Sequence, residues 1–371
     1  MKWSWRIGRA AGIDVYIHAT FLILLGYVAI QYYRLRHHFG DAVNALVLLS
    51  AGFLIVLLHE LGHALAARRY GIETRDITLL PIGGVARLER MPEKPLQELV
   101  VALAGPAVNV VLAIVFYALL HWSRALAELT SVRLVGGPFT ATLFWWNVIM
   151  AGFNLVPAFP MDGGRVLRAL LALRLDYVRA TQIAATLGQG LALLLGCFGL
   201  FQNHPMWIFI ALFVWMGASS EASMVQMTSS LGGIPIQRVM ITDFRTLAPT
   251  EALAVAVQHV LAGFQNDFPV VEDGRVTGML TRSDLFAALA QRGQDTPVGA
   301  VMQRVFETAD PSEMAEAVFA RLQACDCHSM PVVQAQQVVG IVTAENVGEF
   351  LIIQAALRGE RPAKMAADLA G

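Results

Sequence analysis

The chain has 371 residues, 56% of them hydrophobic and only 15% charged, with a net charge of −1 at neutral pH and a mean hydropathy of +0.56. That balance points to a bilayer rather than to a soluble protein hiding its apolar runs inside a globule, and without a basic excess there is no reason to expect a nucleic-acid partner. Cys197, Cys325 and Cys327 are too few and too close together for a disulfide framework, which suits a soluble part in a reducing compartment.

The first ~220 residues carry long apolar runs, whereas the chain from Ile236 onward reads as a soluble sequence with polar turns. A helix needs about 20 mostly apolar residues to cross a bilayer. Six runs are expected to do so, at 15–33, 43–67, 99–122, 139–160, 183–201 and 206–226; Gly188, Gly190, Gly196 and Pro205 leave a hairpin open as another reading of the last two. An even number of spans puts both chain ends on one side. Lys2, Arg6, Arg9, Arg68, Arg69, Arg75, Arg87, Arg90, Lys94, Arg165, Arg168, Arg174 and Arg179 fall on that side, against Arg34, Arg36, Arg124 and Arg133 on the other. Basic loops face the cytoplasm, so the expected location is the cell (inner) membrane with both termini cytoplasmic. No small-residue cleavage site follows the first run, so no cleavable signal peptide is expected.

The second run contains His59-Glu60-Leu61-Gly62-His63. On a helix, positions i and i+4 share a face, so both imidazoles can reach one ion with the glutamate beside them as a base. Chance supplies this pattern in a chain of this composition about once in a hundred, and ionisable groups inside a span are by default functional. The stretch 76–88 that follows is rich in strand formers and glycine. It is either a short membrane-dipping hairpin whose open edge pairs with an unwound substrate, or a surface hairpin.

In the third run, Gly105-Pro106 reads as a helix-packing or helix-breaking element and Asn109 as an interhelical or substrate-facing amide. The fourth ends in Asn154-Leu155-Val156-Pro157-Ala158-Phe159-Pro160-Met161-Asp162-Gly163-Gly164. Its prolines break the helix, which is tolerated at membrane depth only where backbone is buried or lines a watery cavity. Alternating spans run the second and fourth segments the same way, and His63 and Asp162 both lie shortly before cytoplasmic arginines, hence at a similar depth. Asp162 is therefore the candidate third zinc ligand, with helix capping as its other reading. His18, His37, His38, His121 and His204 lack partners at ligand spacing, and Cys325-x-Cys327-His328 lacks a second cysteine pair, so neither group is expected to bind metal.

His59 to His63, Asn154-x-x-Pro157 with Asp162-Gly163, and Gly105-Pro106-x-x-Asn109 together resemble the site-2 protease family, the M50 metallopeptidases. The resemblance implies one Zn2+ per chain, held by His59, His63 and Asp162, with Glu60 as catalytic base. It implies that Asn154 binds the substrate backbone or the developing oxyanion; an interhelical hydrogen bond is its other reading. The substrate class so implied is a transmembrane protein, cut within the bilayer.

The soluble part is an internal duplication. Val239 and Val301, Pro269 and Pro331, Gly278 and Gly340, and Thr281 and Thr343 all stand 62 residues apart, so two copies of one αβ unit are expected. Each runs helix, Pro-Val-Val strand, turn, Gly-led strand and helix, which resembles a tandem CBS pair. In that family a Thr-x-x-Asp at the last helix holds an adenosine ribose and phosphates. Thr281 and Asp284 fit in the first copy; the second has Thr343 and Asn346, the amide replacing the carboxylate. ATP, ADP or AMP is the implied ligand, with helix capping as the competing reading and homodimerisation through the pair as a further implied role.

The expected fold is therefore a multi-domain one: an all-α polytopic membrane domain over 1–226 with a small β-hairpin insertion, a linker at 227–235, α/β CBS motifs at 236–292 and 297–356, and a tail at 357–371. A CBS-gated transporter and an idle membrane scaffold are the alternatives. A transporter should spread ionisable residues along a pathway, whereas here they cluster at His59, Glu60, His63 and Asp162; a scaffold has no use for Glu60.

Overall fold

The computed structural model describes residues 3–36, 39–81, 83–88, 94–130, 132, 137–263, 265–325 and 329–357. Lys2, His37, His38, Arg90, Arg133, Cys327, His328 and the tail beyond residue 357, all named above, lie outside the described residues, as does Ile82 within the stretch 76–88. The chain divides into two compact units, Met1–Ala222 and Ser223–Gly371.

The first unit begins with strands β1 (Ser4–Ala10) and β2 (Ile13–His18), joined by Ala11 and Gly12. Both turn residues have positive φ, 52° and 90°, the geometry that matches the twist of a two-residue hairpin. Helices α1 (Ala19–Arg36) and α2 (Phe39–Arg68) follow, then β3 (Thr74–Leu80), β4 (Gly83–Leu88), α3 (Pro95–Trp122), α4 (Phe139–Asn154), α5 (Asp162–Ala172), α6 (Tyr177–Phe201) and α7 (Pro205–Ser230). The strands form one sheet in the order β1-β2-β3-β4, with β2 and β3 parallel and the outer pairs antiparallel.

This corrects two expectations. The insertion is a four-stranded sheet rather than a hairpin, and residues 15–18, counted into the first span, are strand. The alternation was present: Ile13 and Val15 are buried, while Asp14 between them pairs with Arg6 at 2.7 Å, the period-2 pattern of a half-buried strand. The fourth run likewise ends as helix at Asn154, ahead of its two prolines.

Helices α2, α3, α6 and α7 are long and apolar enough to cross a membrane. Their outward faces carry Leu54, Val111, Ile114, Leu193, Leu194, Phe209 and Met216, all largely exposed, which in water would be a costly apolar belt and in lipid is ordinary. The other two expected spans, α1 and α4, have 18 and 16 residues. Inside, α3 packs against α2, α4 and α5. A Cβ on Gly62 would come 2.8 Å from the Ala104 carbonyl oxygen; the glycine lets α2 and α3 approach closely, as small residues do where lipid gives no hydrophobic drive.

In the second unit, α8 (Leu253–Ala262), β5 (Phe268–Glu272), β6 (Arg275–Leu280) and α9 (Arg282–Arg292) form one copy, and α10 (Ala315–Ala324), β7 (Ser329–Gln334), β8 (Gln337–Thr343) and α11 (Ala344–Leu357) the other. Each copy buries its own apolar core, one around Phe268, Leu280 and Leu285 and the other around Phe319, Met330 and Val342. The copies exchange their leading segments: Ile241 bridges to Ile341 on β8, and Gln303 bridges to Met279 on β6. Gly340 and Gly278 make room for this, with the sulfurs of Met240 and Met302 at 2.6 and 2.7 Å from where a Cβ would stand. Cys325 is disulfide-bonded.

Candidate metal centre and ligand cleft

Within α2, His59 and His63 lie one turn apart and are both buried. Asp162 reaches them from the first turn of α5. It is carried there by segment 155–161, whose Ala158, Phe159 and Met161 are buried among Ala184, Ala185 and Ala192 of α6 and Val214 and Ala218 of α7. A Cβ on Gly163 would lie 2.3 Å from the Val156 carbonyl oxygen, so the glycines after Asp162 let the helix start fold back against its own approach.

His59 Nε2, His63 Nε2 and Asp162 Oδ2 form a triangle with every side 3.1 Å. Three such atoms can all sit about 2.0–2.1 Å from a point about 1 Å off their plane, the position of zinc in a tetrahedral site with one place left open. The chemistry of the donors agrees. His63 Nδ1 donates at 2.7 Å to the Val101 carbonyl, which can only accept, so Nε2 turns a lone pair toward the carboxylate. His59 Nδ1 meets Asn109 Oδ1 at 2.5 Å. Lone pairs and a carboxylate converging in a buried space call for a cation, and His59, His63 and Asp162 are the one such group among the described residues.

Gly105 supplies the space. A Cβ there would stand 2.2 Å from His63 Nε2 and 2.7 Å from His59 Nε2. Its role is thus neither helix breaking nor packing alone, since α3 continues through Pro106. Glu60, partly buried on α2, lies against β4: a Cβ on Gly84 would be 2.7 Å from its Cγ. Asn154 ends α4, half-buried, and forms no hydrogen bond to the three clustered residues. Asn147, fully buried two turns earlier, was not singled out from sequence; its Oδ1 accepts from Asn109 Nδ2 at 3.1 Å. A lone asparagine in an apolar run carries no spacing signal, so only the contact exposes it.

In the second unit, Thr281 caps α9, its Oγ1 accepting from the Asp284 amide at 3.2 Å. Asp284 Oδ2 is taken up by Thr281 Oγ1 at 2.6 Å and Gln303 Nε2 at 2.8 Å, the arrangement of a cap. Thr343 and Asn346 instead line a cavity of about 660 Å³ with Ile241, Phe244 and four carboxylates, Asp243, Asp267, Glu345 and Glu349; Arg282 is the one cation among its described lining. Asn346 Nδ2 donates to the Val239 carbonyl at 2.8 Å, while its Oδ1 is buried without a partner.

Comparison with known proteins accords with this division. Residues 46–195 match the model of peptidase family M50, and residues 236–291 and 298–352 each match a CBS domain. A zinc metalloprotease of Methanocaldococcus jannaschii is 34% identical over 280 residues, covering 76% of this chain and 78% of the relative. The Rip3 protein of Mycobacterium tuberculosis is 30% identical, covering 93% of this chain and 92% of its own. Among solved structures, the site-2 protease of M. jannaschii is 38% identical, covers 59% of this chain and 95% of its own, and has a TM-score of 0.43. The chain belongs to peptidase family M50 as a membrane metalloprotease of the site-2 type, with a tandem CBS pair following its membrane unit in sequence.

Proposed function

We propose that this protein is a zinc-dependent endopeptidase that hydrolyses peptide bonds of membrane-spanning proteins within the bilayer, with His59, His63 and Asp162 as metal ligands and Glu60 as catalytic base. The observation that carries the reading is the 3.1 Å triangle of His59 Nε2, His63 Nε2 and Asp162 Oδ2 next to Glu60 on the same apolar helix. Zinc, when bound, polarises a scissile carbonyl and lowers the pKa of coordinated water to about 7. Glu60 takes a proton from the attacking water on its carboxylate and passes it to the leaving nitrogen. Asn154 binds the substrate backbone or the oxyanion from the end of α4.

A helical peptide bond must be unwound before it can be cut. Among the described residues β4 is an edge strand, paired with β3 alone, and the backbone of Gly84 lies against Glu60. A substrate segment added as a strand along β4 is thus presented to the base in extended form. The CBS pair tunes access or activity through an adenine nucleotide at the Thr343 and Asn346 cleft, associates as a homodimer, and faces the cytoplasm with both termini, as the bias of Lys and Arg in the loops supports.

Reconstitution with a labelled single-span substrate tests the chemistry. Glu60→Gln should keep its zinc and lose cleavage; equal cleavage by variant and parent removes the base from the mechanism.

A further inference from the structure

One histidine of the metal centre is oriented directly by a backbone carbonyl and the other is not. His63 Nδ1 faces the Val101 carbonyl oxygen, but His59 Nδ1 faces a side-chain amide, that of Asn109. An amide can present either its oxygen or its nitrogen, and the two ends have opposite consequences. With the oxygen toward His59, Nδ1 carries the hydrogen and Nε2 offers its lone pair to a metal. With the nitrogen toward it, Nδ1 becomes the acceptor and the hydrogen moves to Nε2, into the space the ion must occupy.

The choice between the two ends is made one residue further out. Asn147 Nδ2 donates to the Leu143 carbonyl oxygen of its own helix at 2.8 Å. That oxygen is an acceptor in any arrangement, so the amide of Asn147 is fixed, and its Oδ1 must accept from Asn109 Nδ2, at 3.1 Å. Asn109 Oδ1 is then left for His59 Nδ1. Both asparagines are fully buried, so no bulk water competes for either amide. Among the described residues, Asn109 Nδ2 has besides Asn147 the thioether of Met150, at 3.5 Å, a weak acceptor that discriminates poorly.

We propose that Asn147 is a positioning residue for the metal centre: through Asn109 it holds His59 in the tautomer whose Nε2 can ligate. This rests on the zinc reading above, and its failure is separable from the failure of that reading. Removing the Asn147 amide frees Asn109 to turn over and leaves His59, His63, Asp162 and Glu60 themselves unaltered.

The test uses the full-length protein in detergent, with Asn147→Leu and, in case added bulk disturbs α4, Asn147→Ala. Zinc affinity is measured by competition with a chromophoric chelator, and the histidine tautomers of the zinc-free protein by 15N chemical shifts. Loss of an outer partner of a ligating histidine weakens metal binding about 10–100-fold, and that loss is expected in both variants. In the zinc-free variants the His59 nitrogens should shift toward the Nε2–H form while those of His63 stay. Unchanged zinc affinity, a tautomer shift in both histidines or in neither, or a zinc-free fold lost in both variants each overturns the assignment. A parent protein that binds no zinc overturns instead the reading on which it rests.

Discussion

Adding one methyl group at Gly105 gives the sharpest check on the metal centre. A Cβ there would stand 2.2 Å from His63 Nε2 and 2.7 Å from His59 Nε2, whereas carbon and nitrogen in contact need about 3.5 Å. The overlap is thus about 1.3 Å on one ligand and about 0.8 Å on the other, several times the roughly 0.2 Å by which ligand distances depart from ideal in a working site. Relief requires α3 to retreat from α2 or both rings to leave their rotamers, and overpacking of this kind costs about 1–3 kcal/mol, a factor of roughly 5 to 150 in zinc affinity. Gly105→Ala should therefore bind zinc at least several-fold more weakly in a chelator competition and lose cleavage in parallel. Gly190→Ala, where a Cβ meets nothing within 4 Å, should match the parent in both assays. Gly105→Ala with parental zinc affinity would refute the placement of the ion between these helices.

Asp162→Ala should lose zinc when the purified protein is assayed for bound metal, and stoichiometric zinc in that variant would remove the aspartate from the ligand set. Gly163→Ala should do nearly the same without altering any ligand, because its Cβ would lie 2.3 Å from the Val156 carbonyl oxygen; normal metal content there would show that the turn before α5 can relax. Arg168 is fully buried, bonded to Glu98 and Glu221 and stacked between the rings of Phe159 and Tyr177. Arg168→Met strands the buried Glu98 and should cost about 3–5 kcal/mol, read as a lowered thermal midpoint in detergent; an unchanged midpoint would mean that Glu98 does not need it. The cleft at Thr343 and Asn346 holds four carboxylates against one guanidinium, so calorimetry in magnesium-free buffer should show AMP binding more tightly than ATP. The reverse order would show that these carboxylates do not govern the choice.

The candidate metal centre is legible in the sequence where its logic is local. His59, Glu60 and His63 announce themselves because helix periodicity alone puts the imidazoles on one face, and Asp162 because two prolines and a depth argument single it out. Gly105 was seen as a packing glycine, but what it packs against belongs to another helix, and no spacing rule connects residue 105 to residue 63. Asn147 escaped for the same reason: its partners are two helices' worth of tertiary geometry. Residues 15–18 were misassigned because their apolar content was read as the start of a span, although Asp14 between Ile13 and Val15 already marks the alternation of a half-buried strand. In the second unit the constant offset between Thr281 and Thr343 revealed the duplication. It did not reveal that Gln303 ties down Asp284 while Thr343 opens onto a cavity, since equivalent positions in a repeat have different neighbours.

The crossed bridges of the second unit, Ile241 to Ile341 and Gln303 to Met279, mean that neither copy owns a complete sheet. Each hairpin keeps a segment of its own copy on one side, Leu247 at Val270 and Ala309 at Val332, and borrows the segment on its other side from its twin, so cutting the chain between the copies yields two incomplete folds rather than two small domains. Melting must then be a single cooperative event. Whatever deforms one hairpin tugs on the lead-in of its twin, so the two copies distort together.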